Sequence, residues 1–316
     1  NNMIKKNYNY FKFVERIRFF FNKTNNNKIT ELVFLDYIQL CKENYGSNSM
    51  EYIDSTIDMG MFYAKNENNQ KYIEILKESL KVLELNDLQD SKQYFEINNN
   101  LANSYHNIGD YLTSIKHLKL NISVFSKNKI INKNLIDETS LRLSNIYFLI
   151  EDYKNCEIIY NNYIDNYNVL DKNNKFLLLI GLIDYYHQIR NFELEFKYYD
   201  ILSDLYKIES IDKTKSSFEK LGFYNSSNKV YSHKGDTEKQ EYFCLKIKDF
   251  YLNNLTCSND TTQLIKANQR LLVIYKIKGE HENWNRIVLQ NFELHQPLIG
   301  KSPINDINVF LDMARY

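Results

Sequence analysis

The residues able to ligate a metal or relay a proton are few and scattered. Six histidines, His106, His117, His187, His233, His281 and His295, are distributed along 316 residues with no HExxH pair and no Cys/His cluster. His106 and His187 sit at equivalent repeat positions, which on a polar helix face is read first as coincidence. The four cysteines, Cys41, Cys156, Cys244 and Cys257, lack CxxC spacing and read as separate thiols on apolar helix faces in a reducing compartment. No closely spaced glycines surround a phosphate, and no GxSxG elbow places a nucleophile. Carboxylates such as Glu15, Glu138 and Asp184 have the scatter of solvated helix charges. The expectation is a protein with no catalytic residues, no cofactor and no metal, in which function lies in a surface.

The elements that would present that surface follow from composition and period. Hydrophobic residues are 43% and charged residues 25% of the chain, enough to build a core, while Gly (8) and Pro (2) are scarce. Sheets need turn residues at each reversal, so the scarcity predicts helices joined by short turns. Forty basic residues balance forty acidic ones, which argues against nucleic acid as the main partner, since phosphate neutralisation rewards a basic excess. The longest apolar run, Phe176 to Leu182, is far shorter than a bilayer needs, and no signal peptide is visible at the start; the expected location is cytoplasmic.

An aromatic residue recurs at Phe21, Tyr63, Tyr105, Tyr147, Tyr186, Tyr231 and Tyr275, with gaps of 42, 42, 42, 39, 45 and 44 residues. Its neighbours keep step. Four residues earlier stand Ile17, Met59, Leu101, Leu143, Leu182, Ser227 and Leu271, on the same helix face as the aromatic. Five residues later stand Asn26, Asn68, Asp110, Asp152, Asn191, Asp236 and Glu280, six of them short polar residues that cap a new helix. Just before these come Asn25, Glu67, Gly109, Glu151, Arg190, Gly235 and Gly279, at a position that favours Gly or Asn in the left-handed conformation. Thirteen residues after the aromatic come Phe34, Leu76, Leu118, Tyr160, Tyr199, Cys244 and Val288, all suited to packing inward. Each repeat therefore reads as helix, tight turn, helix and polar connection.

Within the third repeat, Leu101-Ala102, Tyr105, Gly109-Asp110-Tyr111, Ser114, Leu118 and Ile122 resemble the tetratricopeptide-repeat signature. Met59-Gly60, Tyr63, Leu76 and Leu80 on one side, and Leu143-Ser144, Tyr147, Cys156, Tyr160 and Ile164 on the other, continue it. Repeats of 39 to 45 residues are longer than the family's basic 34 and are similar to those of kinesin light chains and bacterial members; the family's closing proline is absent. The resemblance implies an all-α, right-handed α-solenoid forming one domain over 1–316. Its seven hairpins would span roughly 11–44, 53–90, 95–129, 137–170, 176–208, 221–254 and 265–295. Arg18 makes the first a polar cap, and a closing helix follows over 303–315, opened by Ser302-Pro303.

The resemblance further implies that first helices line a concave wall and hold a protein or peptide. Carried over by position, the wall takes Asn99, Asn103 and His106, then Leu141, Asn145 and Phe148, then Ile180, Asp184 and His187. Carboxamides can both donate to and accept from an extended peptide backbone, so the ladder Asn103, Asn145, Asp184 either grips a ligand or satisfies polar groups of adjacent helices. The family's basic carboxylate clamp is not evident. Lys5 to Lys23, rich in Phe and basic residues, suits either a membrane-surface helix or packing on the next repeat. A protein- or peptide-binding scaffold is the leading expectation. A peptide sensor, the regulatory half of a CHAT-type protease, and an enzyme with a site in the groove are the alternatives.

Overall fold

The computed structural model describes residues 27–65, 68–126, 131–206, 217–253 and 258–295. The first helix of repeat one, the basic aromatic stretch and the closing helix at 303–315 lie outside the described residues, as does Cys257. Among the described residues there are thirteen α-helices and no strand. They are α1 (Asn27–Tyr45), α2 (Met50–Lys65), α3 (Asn69–Leu85), α4 (Lys92–Asn107), α5 (Tyr111–Phe125), α6 (Lys133–Leu149) and α7 (Tyr153–Asp165). After a 3-10 turn at Tyr167–Val169 come α8 (Lys172–Gln188), α9 (Phe192–Leu205), α10 (Ser217–Lys234), α11 (Thr237–Asn253), α12 (Ser258–Lys278) and α13 (His281–His295). Each recurring tyrosine falls in the last turn of a first helix. First helices begin ahead of the spacing-derived bounds, α4 at Lys92 rather than 95, because the apolar pattern is read only where helices pack.

Where the sequence suggests one continuous domain, the backbone contacts divide the chain into two units, 1–174 and 175–316. In the first, consecutive helices from α1 to α7 pack as stacked hairpins, and a single apolar cluster runs from Phe34 through Met59, Leu76, Leu101 and Phe125 to Ile131. In the second, α10, α11, α12 and α13 pack in the same serial manner, and Cys244, Leu271, Leu272, Ile274, Tyr275 and Ile287 form one of its clusters. The positions read from the period are the buried ones: Met59, Leu101, Leu143, Leu182 and Leu271, and likewise Leu76, Leu118, Tyr160, Tyr199 and Cys244. Ser227, the one polar member of the first set, is buried too; it donates to the Phe223 carbonyl at 2.8 Å and accepts the Tyr199 hydroxyl at 3.0 Å.

The turn inside each hairpin is a Schellman closure. The cap residue's N–H donates to the tyrosine carbonyl five residues back, at 2.9 Å in Asn68→Tyr63, Asp110→Tyr105, Asp152→Tyr147, Asn191→Tyr186 and Glu280→Tyr275, and at 3.1 Å in Asp236→Tyr231. The residue before the cap takes positive φ, +81° at Gly109, +69° at Gly235 and Gly279, and also 61° at Glu151 and 58° at Arg190. The cap side chain then accepts from the next helix's third backbone N–H, as Asp110 does from Thr113 at 3.1 Å and Asp236 from Lys239 at 3.0 Å. Glu280 is too long for this; its carboxylate accepts from the Asn283 side chain instead, at 2.7 Å. One residue thus ends one helix and starts the next.

In two hairpins the residues seven before the tyrosine and sixteen after it bond to each other across the helix pair. Thr56 and Ser79 share a hydrogen bond of 2.7 Å, and Asn268 donates to Asn291 at 2.9 Å. Asn121 donates to the Phe95 carbonyl at 2.9 Å while Asn98 takes the Tyr94 carbonyl and the His117 ring. In α8–α9 the same positions are Leu179 and Leu202, both buried. Buried polar pairs need their partners in one register, so they penalise sliding of one helix along the other.

Candidate partner-binding surface

Residues two before the recurring tyrosine face outward from the stack: Met61 is 50% and Val273 52% exposed, unusual for apolar side chains with a core available. Between them in sequence, the same position holds Asn103, Asn145, Asp184 and Lys229. In the first unit Asn103 is exposed, and its Oδ1 accepts a hydrogen bond from Arg142 on α6. Burial pushes the Arg142 pKa down, and the Glu138 charge opposes that. Asn145 Oδ1 accepts the Tyr160 hydroxyl at 3.1 Å. Asn99, half-buried one turn before Asn103, has a buried Oδ1 with no hydrogen-bond partner among the described residues. His106 and Phe148 are half-buried and rest against Tyr111 and Tyr153 of their own hairpins, at ring separations of 5.5 and 6.1 Å. Leu141 is buried in the core and offers no surface. Its face of α6 turns inward there, so it does not belong to the exposed wall in which its repeat position places it.

In the second unit Asp184 is ion-paired with Lys229 at 2.5 Å, and Asn225 accepts from Arg270 at 3.0 Å. Ile180 is half-buried. In both units, then, first helices are laced to the first helix of the following hairpin by polar contacts spaced one repeat apart. A further cleft, of about 330 Å³, opens in the first unit between α1 and α3 over Tyr52, Thr56 and Met59, with Glu74, Glu78 and Lys71 at its edge.

Comparison with solved structures gives the context. A tetratricopeptide repeat protein from Parabacteroides merdae superposes with a TM-score of 0.59 at 9% identity, covering 96% of this chain and 98% of its own. Nearly identical TPR-like repeats of a putative kinesin light chain from Podosopora anserina superpose at 0.51 and 10% identity, covering 61% of this chain and 94% of theirs. The chain has the tetratricopeptide-repeat fold. No family model matches the sequence, and no curated protein matches it either. Small residues stand where the two helices of some hairpins meet. Gly60 lies against the Tyr72 ring, and Ser114 donates to the Ala102 carbonyl at 2.7 Å.

Nine residues after the tyrosine, where other hairpins hold Tyr72, Ser114, Cys156, Gln240 and Trp284, α9 places Glu195, which is wholly buried. Its Oε1 pairs with His187 Nδ1 at 3.0 Å and its Oε2 with His233 Nδ1 at 2.9 Å. The two imidazoles stack with centroids 4.4 Å apart, and the Phe192 ring packs on His233 at 4.2 Å. Burial pushes the Glu195 pKa up, but the hydrogen bonds and charges of the two histidines outweigh it and hold the carboxyl below its ordinary value. The three residues are 8 and 38 apart in sequence, a spacing no ligand motif covers. The available signal was a carboxylate at a repeat position that is buried in the three preceding hairpins, at Tyr72, Ser114 and Cys156.

Proposed function

We propose that the chain is a non-enzymatic scaffold that holds an extended protein segment against its first-helix surface. The contacts would come from Asn99, Asn103, His106, Asn145 and Phe148 in the first unit; Ile180, Asp184 and His187 hold the corresponding positions in the second. The observation that carries this reading is the state of the two carboxamides. Arg142 and Tyr160 donate to the Oδ1 atoms of Asn103 and Asn145, which would leave each NH2 group to donate to a ligand. Oriented donors one repeat apart suit the carbonyls of an extended backbone, with neighbouring aromatic rings accepting side chains. The reading favours donation to ligand carbonyls over the two-way pairing that Asn alone would offer. An intracellular, cytoplasmic setting goes with it.

The test uses a displayed library of random 12- to 16-residue peptides selected on the full chain, then fluorescence polarisation with the winners. Asn103→Ala combined with Asn145→Ala is expected to weaken binding by about tenfold or more, two lost hydrogen bonds at roughly 1 kcal/mol each. Helicity by circular dichroism should stay unchanged. Selected peptides that bind the double variant as well as the parent would return both residues to a purely internal role.

A further inference from the structure

We propose that His187, Glu195 and His233 bind one divalent transition-metal ion of the zinc class. The candidate ligand atoms, one from each residue, lie within 4.8 Å of one another. Two imidazoles and one carboxylate make a donor set that suits zinc and its first-row neighbours, and the remaining position would be filled by water. Bond lengths of about 2.0–2.1 Å bring tetrahedral ligands to about 3.3 Å from each other. Both Nδ1–carboxylate separations are already near that, and the imidazoles close the rest by soft rotation about χ2.

The position of Glu195 explains why an ion belongs there. Its buried counterparts in the preceding hairpins, Tyr72, Ser114 and Cys156, carry no carboxylate, whereas an ionised carboxylate costs several kcal/mol to desolvate unless its charge is matched. A divalent cation supplies the charge, and each ring then carries its proton on Nε2 with the Nδ1 lone pair on the ion. The surroundings agree. His187 and His233 stand in the last turns of α8 and α10, where the carbonyl ends of the helix dipoles favour a cation. Their side chains are 30% and 26% exposed, so an ion can enter from solvent with the carboxylate beneath it. Phe192 screens one side of the His233 ring. The three ligands come from α8, α9 and α10, so the ion would tie one hairpin to the next first helix.

This inference does not depend on peptide binding. The experiment is titration of the full, untagged, chelator-treated chain with zinc chloride at pH 7.5 by isothermal calorimetry, with a parallel cobalt(II) titration read by visible absorption. Expected are one ion per chain at micromolar affinity or tighter, and a rise in melting temperature, because the ion binds only the folded state. His187→Gln and His233→Gln should each weaken zinc at least tenfold and abolish the cobalt bands, while His281→Gln, at an exposed position outside the cluster, leaves both unchanged. Glu195→Gln serves as a third variant where circular dichroism shows it folded; the histidine variants alter partly exposed rings and give the answer without it. Absence of stoichiometric zinc, or equal zinc affinity in the histidine variants, overturns the proposal.

Discussion

The left-handed residue in each Schellman turn permits a paired experiment with opposite signs. Glycine holds it at Gly109 (φ +81°), whereas Glu151 and Arg190 adopt 61° and 58° with exposed side chains. An L-residue in this conformation costs roughly 1–2 kcal/mol, and glycine's extra unfolded-state freedom returns roughly 0.5–1 kcal/mol of that. Glu151→Gly and Arg190→Gly should therefore each stabilise by about 0.5–1 kcal/mol. The reverse change can be read cleanly, because a Cβ at Gly109 would meet nothing within 4 Å. Gly109→Ala should thus lose about 1 kcal/mol for conformation alone. At this chain length, 1 kcal/mol moves the melting midpoint by about 2–4 °C. Urea titration followed by circular dichroism, with Glu151→Gln and Arg190→Gln as charge controls, is the assay. Should the glycine variants match the glutamine ones, or Gly109→Ala leave the midpoint in place, the turn geometry is not the cause and the reasoning fails.

Three other outcomes follow from the packing. A Cβ at Gly60 would stand 2.8 Å from two Tyr72 ring carbons, so Gly60→Ala should cost about 1–3 kcal/mol, and Gly60→Ala with Tyr72→Leu should recover part of it in the same urea assay. Burial pushes the Cys156 thiol up to about 12 and that of Cys244 up to about 11, so both should resist iodoacetamide at pH 8 in the native chain and react fully in urea, as mass spectrometry of peptides would show. Hydrogen bonds from Tyr63 and Lys71 hold the Glu31 carboxyl below its ordinary value. Its stabilising contribution is thus present above that ordinary value and lost as pH falls through the lowered one. Stabilities of the parent and Glu31→Gln should differ at pH 7 and draw together as pH falls below the ordinary glutamate range; a constant difference would refute the assignment.

The sequence revealed most where one residue type does one local job. Met59, Leu101 and Leu143 are buried because their spacing from the tyrosine places them on a single helix face, and period alone shows that. The caps at Asp110 and Asp152 were equally plain, since a short acceptor after a helix end has few other uses. Even Glu151 and Arg190, poor residues for the turn, are carried into the left-handed region by the helices on either side. Legibility failed where neighbours in space decide. Leu141 has the right register for a groove residue but is covered by its surroundings, and Asn103 and Asn145 have their acceptor atoms taken by Arg142 and Tyr160. Glu195 was hidden for the same reason: only the stacking of α10 on the preceding hairpin brings His233 to it.

The doubled role of the cap residue governs where the chain can change length. A residue inserted between Tyr105 and Asp110 would unseat both helices at once, since one amide and one carboxylate oxygen anchor the two ends. Segments linking successive hairpins carry no such obligation, and there the tyrosine-to-tyrosine distance ranges from 39 to 45 residues. Grafted sequence should be accepted at those joints and rejected at the turns, making the hairpin the indivisible module for recombination.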